Sequence, residues 1–509
     1  MGKRRLAWPA GLSGALLFAA LLAACDDGGS TARTGSDATF TDGVASGDVT
    51  ATSAMLWTRA EGGDRLAVEV ARDPAFEDIE RALTAQTSPD RDYTVLVDAT
   101  ELEPDTRYHY RFRAGRAVSP TGSFVTAPEP SDARPLRFVF SGDSDGSRRP
   151  DGSAPFGEFD VLRDAAAEQP DFFLYFGDTI YADRDPEART LAEYRAKYRE
   201  NRGYTALRDI LGQTSLYAMW DDHEVYNDFA GATVDRARFE AGRQAFHEYL
   251  PMRLGDDESV MYRAFGWGAH ADIIILDERS FRDGQASGAC LVDGRADPIP
   301  AGAAPDAPDF LRGVRGFVGL PAELPSACLD TINDPARTML GERQLEFLKE
   351  WLRESDATWK LVVNPVPMQV LLAEPYDRWE GYAAERRAIL SYIRDNEIEN
   401  VVFLTTDFHA NVFGPVRMDP FNDVEPVAYE AIAGPIATTP LRQDIADVIG
   451  EEGADVLGGF LESLIKVDCA ELDSYAYALV EIDKGGGMTI TAKGPGGAQL
   501  CRTTLEPER

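Results

Sequence analysis

The sequence predicts an α/β protein in which a sheet covered by helices follows a small all-β domain. Two patterns indicate this fold class. Short runs rich in β-branched and aromatic residues fill residues 40–128, and from residue 136 onward short apolar runs alternate with amphipathic helical stretches. Several strands in so short a segment are typical of an immunoglobulin- or fibronectin-like sandwich. A chain of 509 residues is long enough for two or three domains, which agrees with this division.

The predicted elements form two blocks separated by a proline-rich linker at residues 126–131. In the first block, residues 108–113 alternate aromatic and polar side chains with the period of a strand. In the second block, the apolar runs have the length of buried strands, and the helical stretches carry one apolar stripe. The predicted strands are residues 54–58, 65–70, 94–97, 108–113, 136–140, 172–176, 273–276, 361–363 and 401–404, and the predicted helices are residues 191–199, 237–249, 342–353 and 383–394.

Residues 1–24 have the features of a bacterial lipoprotein signal peptide. Basic residues near the start precede an apolar stretch that is too short to span a bilayer. The stretch ends in Leu22-Ala23-Ala24-Cys25, which resembles a lipobox and implies lipidation of Cys25. Residues 25–39 predict a flexible tether, so we expect an exported protein of the cell envelope or periplasm, attached to the membrane only through its N-terminal lipid. An ordinary cleaved signal is the alternative, and the sequence does not decide between general and twin-arginine export.

Four cysteines remain beyond the lipobox, and an even number in an exported chain suggests two disulfides. Three pairings are possible. We favour Cys290–Cys328 and Cys469–Cys501, since each pair closes one local excursion of the chain. The first pair would hold residues 282–333, a stretch rich in Gly, Ala, Pro and Asp that we interpret as an inserted loop.

The charge and the histidine content exclude several function classes. The chain has 51 Lys and Arg against 86 Asp and Glu, a formal net charge of −35, which disfavours binding to nucleic acid or to an anionic lipid surface. A phosphate substrate is not excluded, because bound cations can make a site locally positive inside an acidic protein. Since only five histidines are present, a metal site would have to use carboxylates and other oxygen ligands.

Polar side chains follow four short apolar runs, at residues 136–140, 172–176, 215–219 and 401–404. Ligands bind beyond the carboxyl ends of strands in open α/β sheets, so these four loops could converge on one metal cluster. Hard oxygen ligands suit Ca²⁺, Mg²⁺, Mn²⁺ or Fe³⁺, and a phenolate favours ferric iron. Each pair alone is a weak signal, whereas all four in this order are much stronger. The pairs are Asp143 and Asp145, Asp178 and Tyr181, Asp222 and His223, and Asp407 and His409.

The ordered motifs resemble those of the calcineurin-like metallophosphoesterases and, more narrowly, of the PhoD alkaline phosphatase/phosphodiesterase family. The most specific of them is Trp220-Asp221-Asp222-His223-Glu224-Val225, and the resemblance covers nearly all of residues 40–500. It implies a metallophosphatase-type β-sandwich core flanked by helices in residues 131–505, with the 282–333 insertion, after an N-terminal β-sandwich in residues 40–130. Further matching segments are residues 40–59, 276–282, 338–344 and 359–368.

Two positions depart from the family pattern. Asp143 stands where the family often has Cys, which keeps a ligand there but leaves the redox tuning of the metal open. The wider superfamily has Gly-His-x-His where this chain has Thr406-Asp407-Phe408-His409, as is usual in the PhoD group. A carboxylate in place of an imidazole is consistent with a harder metal such as Ca²⁺.

The resemblance implies a two-cation site bridged by Asp178. The ligands that complete an Fe³⁺ site would be Asp143, Tyr181 and His409. The ligands of a second site, for Ca²⁺ or another divalent metal, would be Asp222, Asp407 and Asn364. His223 would act as the acid beside the leaving oxygen. Asp145 and Arg279 are further candidates, for an additional Ca²⁺ and for contact with the phosphoryl group.

Together these roles imply an envelope-anchored, metal-dependent phosphohydrolase. Two cations would lower the pKa of a bound water, hydroxide would attack in line, and His223 would protonate the departing alkoxide. The sequence does not choose between monoester and diester substrates, and it favours a monomer. Two alternatives stay open: a purple-acid-phosphatase-like monoesterase with an acidic optimum, and a non-enzymatic, lipid-anchored, Ca²⁺-dependent adhesin built on the β domain.

Overall fold

Two large β-sheets that share one apolar core form the centre of the molecule. The computed structural model describes residues 38–508 except 305–306, 308, 318, 373–374, 420, 453 and 456–464. These described residues belong to one compact unit. The predicted signal peptide, Cys25 and all but the last two residues of the predicted tether lie outside them. No helix in the described part of the chain combines the length and the hydropathy that crossing a bilayer requires.

The strands and helices are numbered in chain order along the described residues. The strands are β1 (Val44–Gly47), β2 (Ala54–Arg59), β3 (Arg65–Ala71), β4 (Ile79–Gln86), β5 (Thr94–Ala99), β6 (Arg107–Ala114), β7 (Ala117–Val118), β8 (Gly122–Val125), β9 (Leu136–Ser141), β10 (Phe172–Phe176), β11 (Ser215–Met219), β12 (Arg263–Trp267), β13 (Ala271–Ile275), β14 (Leu291–Val292), β15 (Arg295–Ala296), β16 (Trp359–Val363), β17 (Val401–Thr405), β18 (Asn411–Val416), β19 (Ala428–Ile432), β20 (Cys469–Glu471), β21 (Tyr477–Ile482), β22 (Met488–Lys493) and β23 (Gln499–Leu505). The α-helices are α1 (Val161–Ala167), α2 (Leu191–Arg202), α3 (Thr205–Gln213), α4 (Arg236–Tyr249), α5 (Asp309–Phe317), α6 (Ser326–Ile332), α7 (Gly341–Glu354), α8 (Ala383–Asp395) and α9 (Leu441–Ile449).

The first large sheet has nine strands in the order β23-β22-β21-β9-β10-β11-β1-β2-β5. Its central strands β9, β10 and β11 are parallel, and every residue of β10 and β11 is buried. The sequences of β10 and β11 are almost entirely apolar, because both faces of the sheet are covered here and none of their side chains faces water. On one flank β21 pairs with β9 in antiparallel, and on the other β1 pairs with β11 in parallel, with Gly47 opposite Leu216.

The second large sheet has seven strands in the order β12-β13-β16-β17-β19-β18-β20, of which β13, β16, β17 and β19 are parallel. Successive side chains of its strands point to opposite faces. Ile273 and Leu361 belong to the core shared with the first sheet, whereas Ile274 and Val362 pack with α7 and α8 on the other side. The predicted mixed α/β class is therefore confirmed.

The N-terminal strands are divided between two sheets. β4, β3, β6 and β7 form a further sheet with β8 paired to β6, while β1, β2 and β5 extend the nine-stranded sheet. One apolar cluster joins the two groups, with Leu56 on one side and Val68 and Tyr110 on the other. Three strands of residues 40–130 therefore share a sheet with the region that follows the predicted linker at residues 126–131. The immunoglobulin- or fibronectin-like sandwich stays a prediction.

Polar contacts also tie the N-terminal strands to the rest of the molecule. The indole N–H of Trp57 donates to the carbonyl oxygen of Glu248 at 2.7 Å. Asp48 is fully buried, and its carboxylate accepts two hydrogen bonds from Arg263 at 2.8 Å. Because both contacts are buried or nearly so, they hold β1 and β2 in a defined position against the central strands.

Both predicted disulfides, Cys290–Cys328 and Cys469–Cys501, are present. The first lies in residues 282–333, which contain β14, β15, α5 and α6, so the prediction of a plain loop was wrong there. A buried ion pair between Arg315 and Asp297, with Nη1 and Oδ1 2.8 Å apart, gives this insertion its own polar anchor. The second disulfide joins β20 of the seven-stranded sheet to β23 of the nine-stranded sheet, so the two sheets are covalently linked.

Candidate metal centre

The four loops singled out in the sequence meet at one end of the two large sheets. The loops after β9, β10 and β11 leave the carboxyl ends of parallel strands in the nine-stranded sheet, and the loop after β17 leaves the seven-stranded sheet. Backbone groups hold these loops together. The N–H of Asp143 donates to the carbonyl of Gly177 at 3.0 Å, and the N–H of Asp407 donates to Oδ1 of Asp143 at 3.2 Å.

Two of the three groups of described side chains that could bind a metal share one aspartate, and the third consists of Asp222, Asp228 and Asp377. Ligand atoms of Asp143, Asp178 and His409 all lie within 4.8 Å of one another, and so do those of Asp178, Asp222 and His223. Asp178 belongs to both groups, which is the position expected of a bridging carboxylate. The two groups thus bring together five of the predicted side chains. One of the five is His223, which was predicted as an acid and here lies among possible ligand atoms.

Unpartnered carboxylate oxygens in this cluster indicate a missing positive charge. Oδ2 of Asp143 and Oδ1 of Asp222 are buried and have no hydrogen-bond partner among the described residues. Burying a carboxylate oxygen without a partner is costly, and a cation is the usual compensation. The donor set of carboxylates with a phenol and an imidazole fits hard cations such as Ca²⁺ and Fe³⁺.

The pKa values of the carboxyl groups lead to the same conclusion. Burial, followed by the charge of Asp407, raises the pKa of Asp143 well above its ordinary value, and burial with the charge of Asp222 does the same for Asp178. Burial raises the pKa of Asp407 to about 7 against the opposing charge of Arg378. Each of these shifts disfavours the ionised carboxylate, and a bound cation would oppose it.

The backbone of the cluster is held in an unusual conformation. Asp143, Asp178, Asp407 and His409 have φ values of 56°, 49°, 60° and 50°, in the left-handed region that non-glycine residues rarely adopt. Gly434 lies against the first of them, where a Cβ would approach Oδ2 of Asp143 to 2.6 Å. Strained backbone at four neighbouring positions, three of which carry possible ligands, is typical of a functional site, since the surrounding structure must compensate for its cost.

Tyr181 connects the two groups. Its hydroxyl lies 3.1 Å from Nε2 of His409, and its ring stacks on His223 with the centroids 4.2 Å apart. Burial, with the charges of Asp178 and Asp143, raises the pKa of Tyr181 well above its ordinary value. This shift disfavours the phenolate, and a bound cation would oppose it.

His223 is oriented by a carboxylate that the sequence analysis missed. Nδ1 of His223 lies 2.7 Å from Oδ1 of Asp183, which leaves Nε2 facing Asp178 at 3.9 Å. Burial lowers the pKa of His223, but the charges of Asp222 and Asp183 outweigh it and raise the value to about 9. The imidazole can therefore carry a proton at neutral pH. Asp183 lies two residues beyond Tyr181, and that proximity was the one signal in the sequence.

Asp407 is paired with Arg378, a second residue that the sequence analysis did not single out. Nε of Arg378 lies 2.9 Å from Oδ2 of Asp407. Within the described residues the carboxylate of Asp407 belongs to neither ligand group. The backbone N–H of Asp407 therefore contacts the cluster at Asp143, while its carboxylate forms an ion pair with Arg378.

Arg279 lies inside the protein rather than in an open pocket. It is fully buried, and its guanidinium donates to both carboxylate oxygens of Asp221 and of Asp377. Asp222 lies 3.6 Å from Nη2 of the same guanidinium. This arrangement places Arg279 behind Asp222, and its contact with a phosphoryl group stays a prediction.

Asn364 and Asp145 belong to neither ligand group. The amide oxygen of Asn364 accepts a hydrogen bond from the indole of Trp379 at 2.9 Å. Asp145 accepts from the N–H of Ser147 at 2.9 Å, and its other oxygen lies 3.4 Å from Nε of Arg184. Both side chains thus have protein partners in this structure, and their roles as possible ligands stay predictions.

Comparisons with known proteins agree with this geometry. The profile of the PhoD-like phosphatase family matches residues 148–484, and that of the PhoD-like phosphatase N-terminal domain matches residues 26–128. Alkaline phosphatase D of Bacillus subtilis (strain 168) is 28% identical over 430 residues, which cover 75% of this chain and 66% of the relative. The match thus spans slightly less than two thirds of that protein.

Two solved structures share the fold. The structure of PhoD has a TM-score of 0.74 at 22% identity, covering 94% of each chain. Purple acid phosphatase PPD1 from yellow lupin (Lupinus luteus) seeds has a TM-score of 0.55 at 12% identity, covering 91% of this chain and 73% of the other. At these identities the likeness concerns the arrangement of strands and helices.

Proposed function

Because the chain belongs to the PhoD-like phosphatase family, we propose that it is a metal-dependent phosphohydrolase that cleaves phosphate esters at the cluster around Asp178. One observation carries the proposal. Asp178 is shared by two groups of ligand atoms, and each group contains a buried carboxylate oxygen without a partner, on Asp143 and on Asp222. Two adjacent cation sites of this kind suit phosphoryl transfer, in which charge on the phosphoryl oxygens must be neutralised.

The ligands divide between two cations. Asp143, Tyr181 and His409 would hold Fe³⁺, supported by the phenol and by its 3.1 Å contact with the imidazole. Asp222 would hold Ca²⁺ or another divalent ion, and Asp178 would bridge the two. When bound, such cations lower the pKa of water and neutralise phosphoryl oxygens. Asp407 is a further candidate for the second site, once its side chain leaves Arg378.

The chain's own residues would supply the proton and the orientation. As water adds to phosphorus and the bond to the leaving oxygen breaks, the protonated Nε2 of His223 would donate to the leaving alkoxide. Asp183 accepts from Nδ1 and so keeps the proton-bearing Nε2 directed at the cluster. The burial of Asp178 and Asp222 keeps bulk water away, which strengthens these interactions.

The first test compares two aspartates at opposite ends of β10. Asp178→Asn should remove bound metal and lower the hydrolysis of nitrophenyl phosphate and bis-nitrophenyl phosphate by on the order of 10³ or more. Asp171→Asn is the matched control, because Asp171 precedes the strand and pairs with Arg134. Metal content by elemental analysis and rates on the two esters are measured together. A chain that hydrolyses neither ester in the presence of metals would refute the proposal.

The same measurements separate the remaining candidates. Activation by Ca²⁺ at alkaline pH supports a PhoD-type alkaline phosphatase or phosphodiesterase, and an acidic optimum without Ca²⁺ activation supports a purple-acid-phosphatase-like monoesterase. Visible absorption that disappears in Tyr181→Phe supports Fe³⁺ at the phenol, and a colourless, active, iron-free enzyme refutes it. Ca²⁺-dependent binding without hydrolysis, unchanged in His223→Ala, would indicate the adhesin.

Export, anchoring and domain division belong to the same proposal. Two disulfides are typical of an oxidising compartment, which supports export to the cell envelope. The lipobox-like motif supports lipidation of Cys25, and labelling with a fatty-acid analogue in wild type and Cys25→Ala tests it. The match of residues 26–128 to the family's N-terminal domain supports an N-terminal β region before the catalytic region, although three of its strands join the nine-stranded sheet.

A further inference from the structure

One half-exposed arginine stands beside the candidate metal centre. The guanidinium of Arg184 lies over the ring of Tyr181, 5.5 Å from its centroid, and Nε is 3.4 Å from Oδ2 of Asp145. The backbone on both sides is fixed, because the N–H donates to the carbonyl of Tyr181 and the carbonyl accepts from Lys197 at 2.9 Å. The side chain is therefore held at this place by the loop that carries Tyr181.

Arg184 differs from the other arginines near the cluster in exposure and in its partners. Arg279 and Arg378 have side chains that are 0% and 2% exposed, and carboxylates bind them. The side chain of Arg184 is 48% exposed, and its two terminal nitrogens make no hydrogen bond within the described residues. It therefore offers donors that the protein itself does not use.

The depth of the cluster decides what these donors can reach. Asp178 and Asp222 are 1% and 3% exposed, so a scissile phosphoryl group held there would lie below the level of Arg184. Arg184 lies over the ring of Tyr181, which stacks on His223, so the part of a substrate on the side of that imidazole would lie near the guanidinium. A guanidinium binds carboxylate or phosphate oxygens through paired, charge-assisted hydrogen bonds, and the terminal nitrogens of Arg184 are placed to make them while Nε faces Asp145.

We propose that Arg184 is a specificity-determining residue that selects phosphate esters with a second anionic group next to the scissile phosphoryl. This inference rests on the proposed phosphohydrolase function and extends it to a substrate class. It assigns the terminal nitrogens of Arg184 to a carboxylate or second phosphate on the leaving-group side, while the metal centre holds the phosphoryl that is cleaved.

The test compares 3-phosphoglycerate with glycerol 3-phosphate, two esters of similar size of which the first carries an added carboxylate. For metal-loaded wild-type protein, kcat and KM are measured for both, together with their dissociation constants by calorimetry. In Arg184→Gln we expect kcat/KM and affinity for 3-phosphoglycerate to fall about tenfold, mainly through KM, with those for glycerol 3-phosphate within about twofold. Arg184→Lys should recover part of the loss.

The matched control is Arg189→Gln, on the same loop. Its side chain is 67% exposed and pairs with Glu187, so the ratio of the two esters should stay at the wild-type value. An unchanged ratio in Arg184→Gln, or an equal loss for both esters, would overturn the assignment of Arg184 alone. A wild-type chain that neither binds nor hydrolyses either ester, or a nitrophenyl ester, would overturn the proposed function and this inference with it.

Discussion

Replacing Arg279 by methionine should destabilise the fold. The guanidinium is fully buried, and it lies 2.9 Å from Asp221 and 2.7 to 2.8 Å from the two oxygens of Asp377. Burial alone would raise the pKa of Asp377, but Arg279 and Arg282 hold it far below its ordinary value. Removing one partner from such a buried network costs about 3 to 5 kcal/mol, because carboxylates are left without compensation.

Urea unfolding at pH 7 measures this loss. A change of about 3 to 5 kcal/mol lowers the ratio of folded to unfolded protein by roughly 10² to 10⁴. Arg353→Met on the exposed side of α7 is the control and should stay within about 0.5 kcal/mol of wild type. If Arg279→Met costs less than about 1 kcal/mol while KM for a phosphate ester rises, the guanidinium contacts the substrate and the reasoning is refuted.

Three further predictions address other parts of the molecule. Asp183→Asn should lower kcat by on the order of 10² with KM and bound metal unchanged, because His223 loses the acceptor that orients it; unchanged kcat would contradict this. Burial, with three nearby arginines, lowers the pKa of His247 to about 4. The histidine of the unfolded chain protonates near pH 6.5, so the contribution of neutral His247 to the free energy of unfolding should be fully present above that pH. It should fall by about 3 kcal/mol as the pH drops from 6.5 through 4. In acid unfolding curves, His247→Gln should lose less stability over the same range. The double variant Cys469→Ser/Cys501→Ser removes a disulfide that joins residues 32 apart, and it should lower the free energy of unfolding by about 3 to 4 kcal/mol. Thermal or urea unfolding measures this change, and an unchanged free energy of unfolding would contradict the prediction.

The sequence predicted the parts of the centre that depend on local pattern. A strand followed by a polar loop is a short-range signal, so the positions of Asp143, Asp178 and Asp222 could be read from it. Pairings between distant segments could not. The contact of Arg279 with Asp377 joins residues 98 apart, and the contact of Arg378 with Asp407 joins residues 29 apart. Neither motif spacing nor periodicity carries information on such pairs.

Side-chain direction was the second limit. Asn364 follows a buried strand as the motif requires, yet its amide oxygen accepts from Trp379, which only the packed structure reveals. The sheet topology shows the same limit. The proline-rich composition of residues 126–131 predicted a domain boundary. It carries no information on the pairing of β1 with the free edge of β11, which joins strands on either side of that segment.

The pairing of β1 with β11 determines where the chain can be cut without exposing a strand edge. Cutting the chain near residue 130 would remove β1 from β11 and expose the edge of this five-residue strand, where Leu216 now pairs with Gly47. An uncovered strand edge favours pairing with other chains. The strand so exposed is the one whose loop presents Asp222 and His223. A mechanical load or a binding partner acting on the N-terminal strands would therefore act directly on the strand whose loop carries His223.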